Sequence, residues 1–331
     1  MKKGLLLINL GTPEHPDIFS VGRYLSEFLA DKRVIDLPAP LRYLLLYGFI
    51  LPFRLKASTA AYRSIWTAKG SPLLYHSQRL VKKVQQKAGN ECKVVLGMRY
   101  GRPSIDEALQ SLKSCEHITI LPLYPQYSSA ATGSSIEYCL HLMKTQTIFP
   151  SLKIIRDFYQ HPAFIKAQAE LIAPFFTKQD HLLFSYHGLP ERQLLKKACP
   201  VLCERECRPM MLDNQACYRA QCYQTSRLLA QQLNLTETQF STSFQSRLGK
   251  TPWIKPYTDE MLPLLISKGI KRLVVACPSF MADCLETLEE IGIRAREQWL
   301  AAGGEELKLV TCLNDNASWA EAILKITRIH S

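Results

Sequence analysis

Neither G-x-G-x-x-G nor G-x-x-x-x-G-K-[ST] occurs in this 331-residue chain, so a nucleotide finds no ready phosphate cradle. No apolar stretch approaches the roughly 18 residues of a membrane-spanning helix. The longest, Tyr43 to Phe53, runs 11 residues between Arg42 and Arg54. Met1-Lys2-Lys3 opens like a signal peptide, but the apolar stretch Gly4–Leu10 meets Gly11-Thr12-Pro13 with no small-residue cleavage site. A cytoplasmic chain is therefore expected. No C-x-x-C pair occurs among the 11 cysteines, so the usual zinc knuckle is missing. In a reducing compartment those cysteines are thiols or metal ligands rather than disulfides. No block of lysine and arginine marks a nucleic-acid partner.

With 47% hydrophobic and 21% charged residues, the chain is neither wholly disordered nor a disulfide-stapled scaffold. Its 41 Lys+Arg against 29 Asp+Glu leave a net charge of +12. That balance favours phosphates, anionic lipid heads or carboxylated small molecules without choosing among them, and a scattered solvated surface explains it equally.

Short runs rich in Val, Ile and Leu alternate with longer helical patterns. They lie at Gly4–Asn9, Lys93–Met98, His117–Leu121 and Leu152–Arg156, then at His181–Tyr186, Gln239–Phe244, Lys271–Ala276 and Glu306–Thr311. Runs apolar on both faces read as buried parallel strands. Strand–helix alternation predicts an α/β fold, and four strands per half predict two Rossmann-like domains related by duplication. Spacing repeats as well: His117 and Leu152 are 35 residues apart, and so are Arg272 and Leu307. The expected domains are 1–156, with an apolar lip at 37–57, and 157–331, with a Cys-rich insertion at 198–222. The final helix, 317–329, is left open between them.

In open parallel sheets ligands bind beyond the carboxyl ends of the strands. The residues expected there are Asn9 to Pro13, Arg99-Tyr100, Pro122 to Ser135, His187-Gly188-Leu189-Pro190, Gln245-Ser246-Arg247 with Trp253, and Cys277 to Glu290. These loops are long and aromatic, which suits a flat organic ligand. Asp283, Glu286 and Glu290, spaced i, i+3, i+7, predict three carboxylates on one helical stripe, a path for a divalent cation or for leaving protons. A local alternative is that Asp283 caps the helix with Glu286 as its partner. An imidazole at His187 can accept a proton or ligate a metal near neutrality, or be an ordinary turn residue. Arg99 and Arg247 could each clamp a ligand carboxylate or close a salt bridge across strand ends. Tyr127, Ser128 and Thr132 offer hydroxyls, and Trp253 an aromatic wall or a core residue.

Five cysteines crowd one segment: Cys199, Cys203, Cys207, Cys217 and Cys222. Such clusters bind zinc or an iron–sulfur centre, although this spacing selects neither. A loop of free thiols is the alternative.

Together these motifs resemble the ferrochelatase family. The matches are Asn-Leu-Gly-Thr-Pro-Glu at 9–14, Gly-Met-Arg-Tyr at 97–100, Leu-Tyr-Pro-Gln-Tyr-Ser at 123–128 with Thr-Gly-Ser-Ser at 132–135, Ser-Tyr-His-Gly-Leu-Pro at 185–190, Phe-Gln-Ser-Arg-Leu-Gly at 244–249 with Pro-Trp at 252–253, and Asp-Cys-Leu-Glu-Thr-Leu-Glu-Glu at 283–290. They span nearly the whole chain in order. The resemblance implies a chelatase fold that holds a porphyrin between its two domains. It implies insertion of ferrous iron with release of two protons, and no nucleotide cofactor. His187 and Glu286 are then the metal-site pair, Asp283 and Glu290 continue the acidic path, and Arg99, Tyr100, Tyr127, Ser128, Thr132 and Trp253 hold the macrocycle.

Cys284 departs from many relatives, which often carry His there. Some microbial members hold a [2Fe-2S] cluster on inserted cysteines, making four of the five candidates here. The Asn9-Leu10-Gly11 opening is similar to the protoporphyrin-using group, and the greasy lip suits that substrate and a peripheral contact with a membrane surface. A coproporphyrin enzyme is the nearest alternative. A non-catalytic tetrapyrrole or Fe–S sensor is another, against which three aligned carboxylates argue.

Overall fold

The structure, a computed structural model, describes residues 2–195, 199, 203, 206–247, 249 and 251–329. Within the Cys-rich segment, residues 198, 200–202 and 204–205 lie outside this set, as does Leu248 of the Phe-Gln-Ser-Arg-Leu-Gly motif. The chain divides into two compact units. One comprises Met1–Tyr124, Ser128–Asp157 and Asp315–Ser331; the other comprises Pro125–Tyr127 and Phe158–Asn314.

The first unit is built on β1 (Lys3–Gly11), β2 (Cys92–Tyr100), β3 (His117–Pro122) and β4 (Ser151–Ile154), in the order β2-β1-β3-β4. All neighbours are parallel. Both faces of β1 are covered, and Leu5, Leu6, Leu7 and Ile8 have no exposure, which is why the run is apolar without alternation. The crossover helix Ile105–Ser111 starts at a capping box, with Ser104 accepting from the Glu107 amide and Glu107 accepting from the Ser104 amide. Gly11 ends β1 at φ +116°, where a Cβ would stand 1.8 Å from the Tyr100 carbonyl, so only glycine fits.

The second unit repeats the plan with β5 (His181–His187), β6 (Phe240–Gln245), β7 (Arg272–Ala276) and β8 (Glu306–Leu309), in the order β6-β5-β7-β8. Its pairs are likewise parallel. Duplication extends to detail. The Met98 amide in β2 donates to the Pro103 carbonyl at 2.6 Å, and the Phe244 amide in β6 donates to the Pro256 carbonyl at 2.8 Å. Leu183, Leu273, Val275, Leu262, Ile291 and Trp299 form one core on a face of this sheet.

One placement that the sequence left open and one boundary that it set too late are given by the structure. The final helix, Ala317–Thr327, belongs with the first unit. Asp315, just before it, is held by His76, Arg79 and Lys83 of the helix Pro72–Ala88. The Cys-rich insertion expected to extend to 222 gives way at Tyr218 to a helix that runs to Gln232, so Cys222 lies within a helix rather than in an inserted loop. The apolar lip is one continuous helical stretch, Ala39–Leu45, a π turn Leu46–Ile50, then Leu51–Ile65. Leu44, Tyr47, Phe49 and Phe53 are all more than half exposed along it. Among the described residues, no helix is long and apolar enough to cross a membrane.

His181 opens β5, buried, with Nε2 2.9 Å from the Ser241 hydroxyl. Burial, aided by the Lys268 charge, lowers its pKa from 6.5 to about 4. The unfolded chain takes up a proton below 6.5 where the folded one resists, so this contribution is complete above pH 6.5 and is lost as pH falls toward 4. Urea unfolding at pH 7, 6 and 5 is expected to show a loss of roughly 1 kcal/mol per pH unit, flattened in His181→Gln.

Candidate active site

The second unit gathers its polar groups at the carboxyl end of its sheet, as parallel topology dictates. His187 is the last residue of β5. Its Nδ1 lies 2.6 Å from the Gly188 carbonyl. A carbonyl only accepts, so Nδ1 carries the hydrogen and neutral His187 keeps Nε2 as a lone-pair donor. Trp253 and Phe280 flank the ring, with centroids at 6.4 and 6.2 Å. The His187 amide donates to Ser279 Oγ at 3.1 Å, and its carbonyl accepts from the Tyr218 hydroxyl at 2.7 Å. A Cβ on Gly188 would lie 2.8 Å from the Gln245 carbonyl and 3.2 Å from Trp253, so the close approach of these strand exits depends on that glycine.

Gln245 stands opposite His187 in the β5–β6 register and is buried. Its Nε2 donates to the Glu286 carbonyl at 2.7 Å and to the Glu290 carboxylate at 3.3 Å, while its Oε1 accepts from Ser185 at 2.7 Å. Glu290 also accepts from the Ser246 amide at 2.7 Å and the Ser246 hydroxyl at 2.5 Å. Ser246 reaches it from a left-handed backbone, φ +67°. For a serine that conformation is uncommon and is held in place by its surroundings. Gln245 and Ser246 received no individual role from sequence reasoning, which placed them only at a strand exit and within the Phe-Gln-Ser-Arg-Leu-Gly motif.

The acidic stripe is corrected. Its helix spans only Leu285–Leu288, with Cys284 rather than Asp283 as N-cap and Thr287 as the reciprocal partner. A π turn, Glu290–Ala295, follows. Asp283 precedes the helix, is buried, and turns away: its carboxylate accepts from the Cys312 amide and from Asn314 Nδ2, both at 2.8 Å. It ties the β7 exit to the β8 exit. Glu286, half-buried, lies against the Cys284 thiol; burial and that carboxylate push the thiol well above its ordinary pKa, so it is a protonated donor.

In the first unit Arg99 closes a salt bridge instead of waiting for a ligand. Its Nη2 is 2.7 Å from Asp31, its Nε donates to Ser134 at 2.7 Å, and Tyr100 and Tyr138 sandwich the guanidinium at 4.5 and 4.4 Å. Tyr100 is buried and donates to Asp31 at 2.9 Å, so it presents nothing to a ligand. Burial would raise the Asp31 pKa, but Ser134, the Arg33 amide, Tyr100 and Arg99 together hold it low. Thr132 is fully buried within the π turn Ser129–Gly133, and Ser128 caps that turn through the Ala131 amide. Burial therefore withdraws Tyr100 and Thr132 from the ligand-binding set. Arg247 pairs with Asp259 and Glu260 at 2.6 and 2.9 Å. Tyr127 belongs to the second unit, where its amide donates to Gln221 at 2.6 Å.

The cysteine segment separates into two environments. Cys207 and Cys217 are buried together. The Cys207 thiol donates to Cys217 and lowers it to about 6, helped against burial by the Ala220 and Arg219 amides and by Cys199. Cys207 is correspondingly raised by that bond and by burial, with Cys203 close enough to add to the shift. Cys222 lies against the Tyr218 hydroxyl, pushed up by burial. Among the described residues, no three His, Cys, Asp or Glu side chains converge as a preformed metal cage.

Residues 2–331 match the ferrochelatase family model. Ferrochelatase of Legionella pneumophila (strain Paris) is 62% identical over 326 residues, covering 98% of both chains. Ferrochelatase of Coxiella burnetii (strain RSA 493) is 47% identical over 334 residues, covering 99% of this chain and 93% of that one. Among solved structures, SirB from Bacillus subtilis with Fe3+ superimposes with a TM-score of 0.57 at 10% identity, over 99% of this chain and 95% of that one. The sirohydrochlorin chelatase SirB in complex with cobalt gives 0.54, also at 10% identity, over 99% and 94%. At such identity these two likenesses show the fold.

Proposed function

The chain belongs to the ferrochelatase family, and from that premise we propose the division of labour by which it inserts ferrous iron into a porphyrin. The enzyme is a lyase whose substrates are the porphyrin and the iron. We propose protoporphyrin IX as the macrocycle and a cytoplasmic setting for the reaction. The observation that carries the site assignment is the Gln245 amide, which ties the strand opposite His187 to the turn bearing Glu286 and Glu290.

Metallation replaces two pyrrole N–H protons with one ferrous ion, so two protons must leave. His187 Nε2 accepts a pyrrole proton, since Nδ1 is committed to a carbonyl. Glu286 takes protons onward or offers an oxygen to iron as it sheds water; imidazole and carboxylate form a reasonable ligand pair for a borderline cation. Glu290, already accepting from Ser246 and Gln245, anchors the turn. Trp253 walls the site beside His187. Arg99 shapes the first unit through Asp31 rather than by gripping a propionate.

The Asn9-Leu10-Gly11 strand exit and the apolar lip favour protoporphyrin, whose vinyl edges tolerate a greasy surround, over coproporphyrin. In an anaerobic assay read by loss of free-base fluorescence, His187→Ala and Glu286→Ala are each expected to lower metallation by about 100-fold or more, with folding intact. Asp283→Ala is expected instead to cost about 2 kcal/mol of stability by breaking two buried hydrogen bonds. Normal turnover in the first two variants overturns the assignment, and faster turnover of coproporphyrin overturns the substrate.

We propose that Cys199, Cys203, Cys207 and Cys217 hold a [2Fe-2S] cluster, with Cys222 the spare. Soft sulfur donors fit that group: Cys217 bonds to Cys207 and Cys199, Cys203 is near enough to act on Cys207, and Cys222 is turned toward Tyr218. When bound, the cluster supplies one-electron chemistry, which metallation does not use; its part is structural. Protein made and purified anaerobically is expected to contain iron and sulfide in equal amounts and a visible chromophore, kept in Cys222→Ser and lost in Cys217→Ser.

The exposed lip, with Arg54 and Lys56 beside Phe49 and Phe53, is proposed to rest on a membrane surface. Sedimentation with phosphatidylglycerol vesicles is expected to carry the protein down. Phe49→Ser with Phe53→Ser is expected to leave it in the supernatant.

A further inference from the structure

The helix Tyr218–Gln232 begins where the cysteine segment ends, with Cys217 as its N-cap. Within four residues it reaches three separate loops of the second unit. The Tyr218 hydroxyl donates to the His187 carbonyl at 2.7 Å. Buried Arg219 donates through Nε to the Lys255 carbonyl at 3.0 Å, two residues past Trp253. Buried Gln221 accepts the Tyr127 amide at 2.6 Å. The same turn is anchored behind: Arg219 Nη1 donates to the Cys207 sulfur at 3.0 Å, and Gln221 Nε2 to the Gln215 carbonyl at 2.7 Å.

We propose that Tyr218, Arg219 and Gln221 are positioning residues for metallation, and that the cysteine segment acts on the site mechanically, through this one helical turn. The proposal rests on the metallation reading above for what the site does. All three forward bonds go to main-chain groups of the segments carrying His187, Trp253 and Tyr127, so they fix where those side chains stand without touching a reacting atom. Each is made by a buried side chain, and losing one leaves a main-chain group unpaired in a packed interior. Displacements well under an ångström at a reacting group cost rate steeply. Arg219 joins the two ends: its planar guanidinium cannot follow a displaced Cys207 sulfur without altering its hold on Lys255. An event in the cysteine segment, whether metal binding or oxidation, thus reaches the site with no electron passing between them.

The test uses the full-length protein and two readouts. Steady-state metallation of protoporphyrin is expected to show kcat lowered about tenfold in Tyr218→Phe with porphyrin KM within about twofold, and KM raised about fivefold in Gln221→Ala. Arg219→Met is expected to lower both kcat and kcat/KM, with Arg219→Lys partly restoring them; where Arg219→Met does not fold, Arg219→Lys alone is compared with wild type. The second readout needs no turnover. The His187 ring resonance, assigned by its loss in His187→Gln, is expected to shift in Tyr218→Phe and also in Cys207→Ser. Unchanged kinetics and an unmoved resonance in a folded Tyr218→Phe overturn the positioning role. A resonance that moves in Tyr218→Phe but not in Cys207→Ser overturns the route from the cysteine segment. If wild type fails to metallate porphyrin while the resonance still moves in both variants, the metallation reading falls and the positioning stands.

Discussion

The buried amide of Gln245 is the interaction on which the second unit's site depends. A glutamine side chain offers two donors and an acceptor in one plane. Here Oε1 is held by Ser185 from β5, while Nε2 is divided between the Glu286 carbonyl and the Glu290 carboxylate. One side chain on β6 therefore determines where β5 ends and where the acidic turn after β7 begins. Leaving such a group unpaired in the interior costs about 1–3 kcal/mol, so the arrangement is strongly preferred once the strands are in register. Ser246 extends the same hold from a backbone conformation that a serine adopts only under constraint.

The duplicated architecture makes a comparison possible within one chain. The paired bonds Met98 to Pro103 and Phe244 to Pro256 make Arg99 the counterpart of Gln245, one residue further along each strand. Both project from the carboxyl end of a strand beside the central one, and both are consumed by a local network. The electrostatic solutions differ. Arg99 brings a charge that must be matched, and Asp31 matches it, with Ser134 and two tyrosine rings completing the surround. Gln245 brings none, so it ties down the acidic turn without adding a countercharge of its own; Arg294, paired with Glu289, is the guanidinium that acts on Glu290. A neutral bridge orients the acidic turn by hydrogen bonds alone, where a guanidinium at this position would have paired with one of its carboxylates.

The eight strands were legible as apolar runs, unbroken where burial is nearly complete, as in β1, β5 and β7, and weaker in the less buried β4 and β8 and in β6, Phe-Ser-Thr-Ser-Phe-Gln. The expectation that ligand-facing residues lie at their carboxyl ends followed from the general rule for such sheets, whereas the strand order was not read from the sequence. His187 and Glu286 were legible as strand-exit residues for the same reason. Asp283 was misread because helical spacing was carried one turn back across a helix start; the N-cap is Cys284, and the sequence holds no strong sign that a thiol takes that place. Tyr100 and Thr132 were misread because position after a strand does not tell whether a side chain turns outward or into the core. Gln245, Ser246 and Tyr218 were missed because their roles lie in bonds between residues tens of positions apart, which no local pattern records. Cysteine spacing likewise could not separate Cys222, on the helix, from the four that precede it.

The two acids left on the turn are not equivalent, and the difference follows from counting donors. Glu290 receives the Ser246 amide, the Ser246 hydroxyl and the Gln245 amide, which occupy most of what a carboxylate can accept. Among the described residues, the donor at Glu286 is the weak Cys284 thiol. A carboxylate saturated by fixed donors gains little from a cation or a proton, because each must displace a bond already made. One with open lone pairs gains fully. The α-to-π transition between them sustains the asymmetry by widening the turn at Glu290, which carries that carboxylate to Ser246 while Glu286 stays on the short α-helical turn. In the proposed chemistry the fixed acid holds the turn's shape and the open acid does the exchanging, and a thiol in place of a stronger donor at position 284 is what keeps it open.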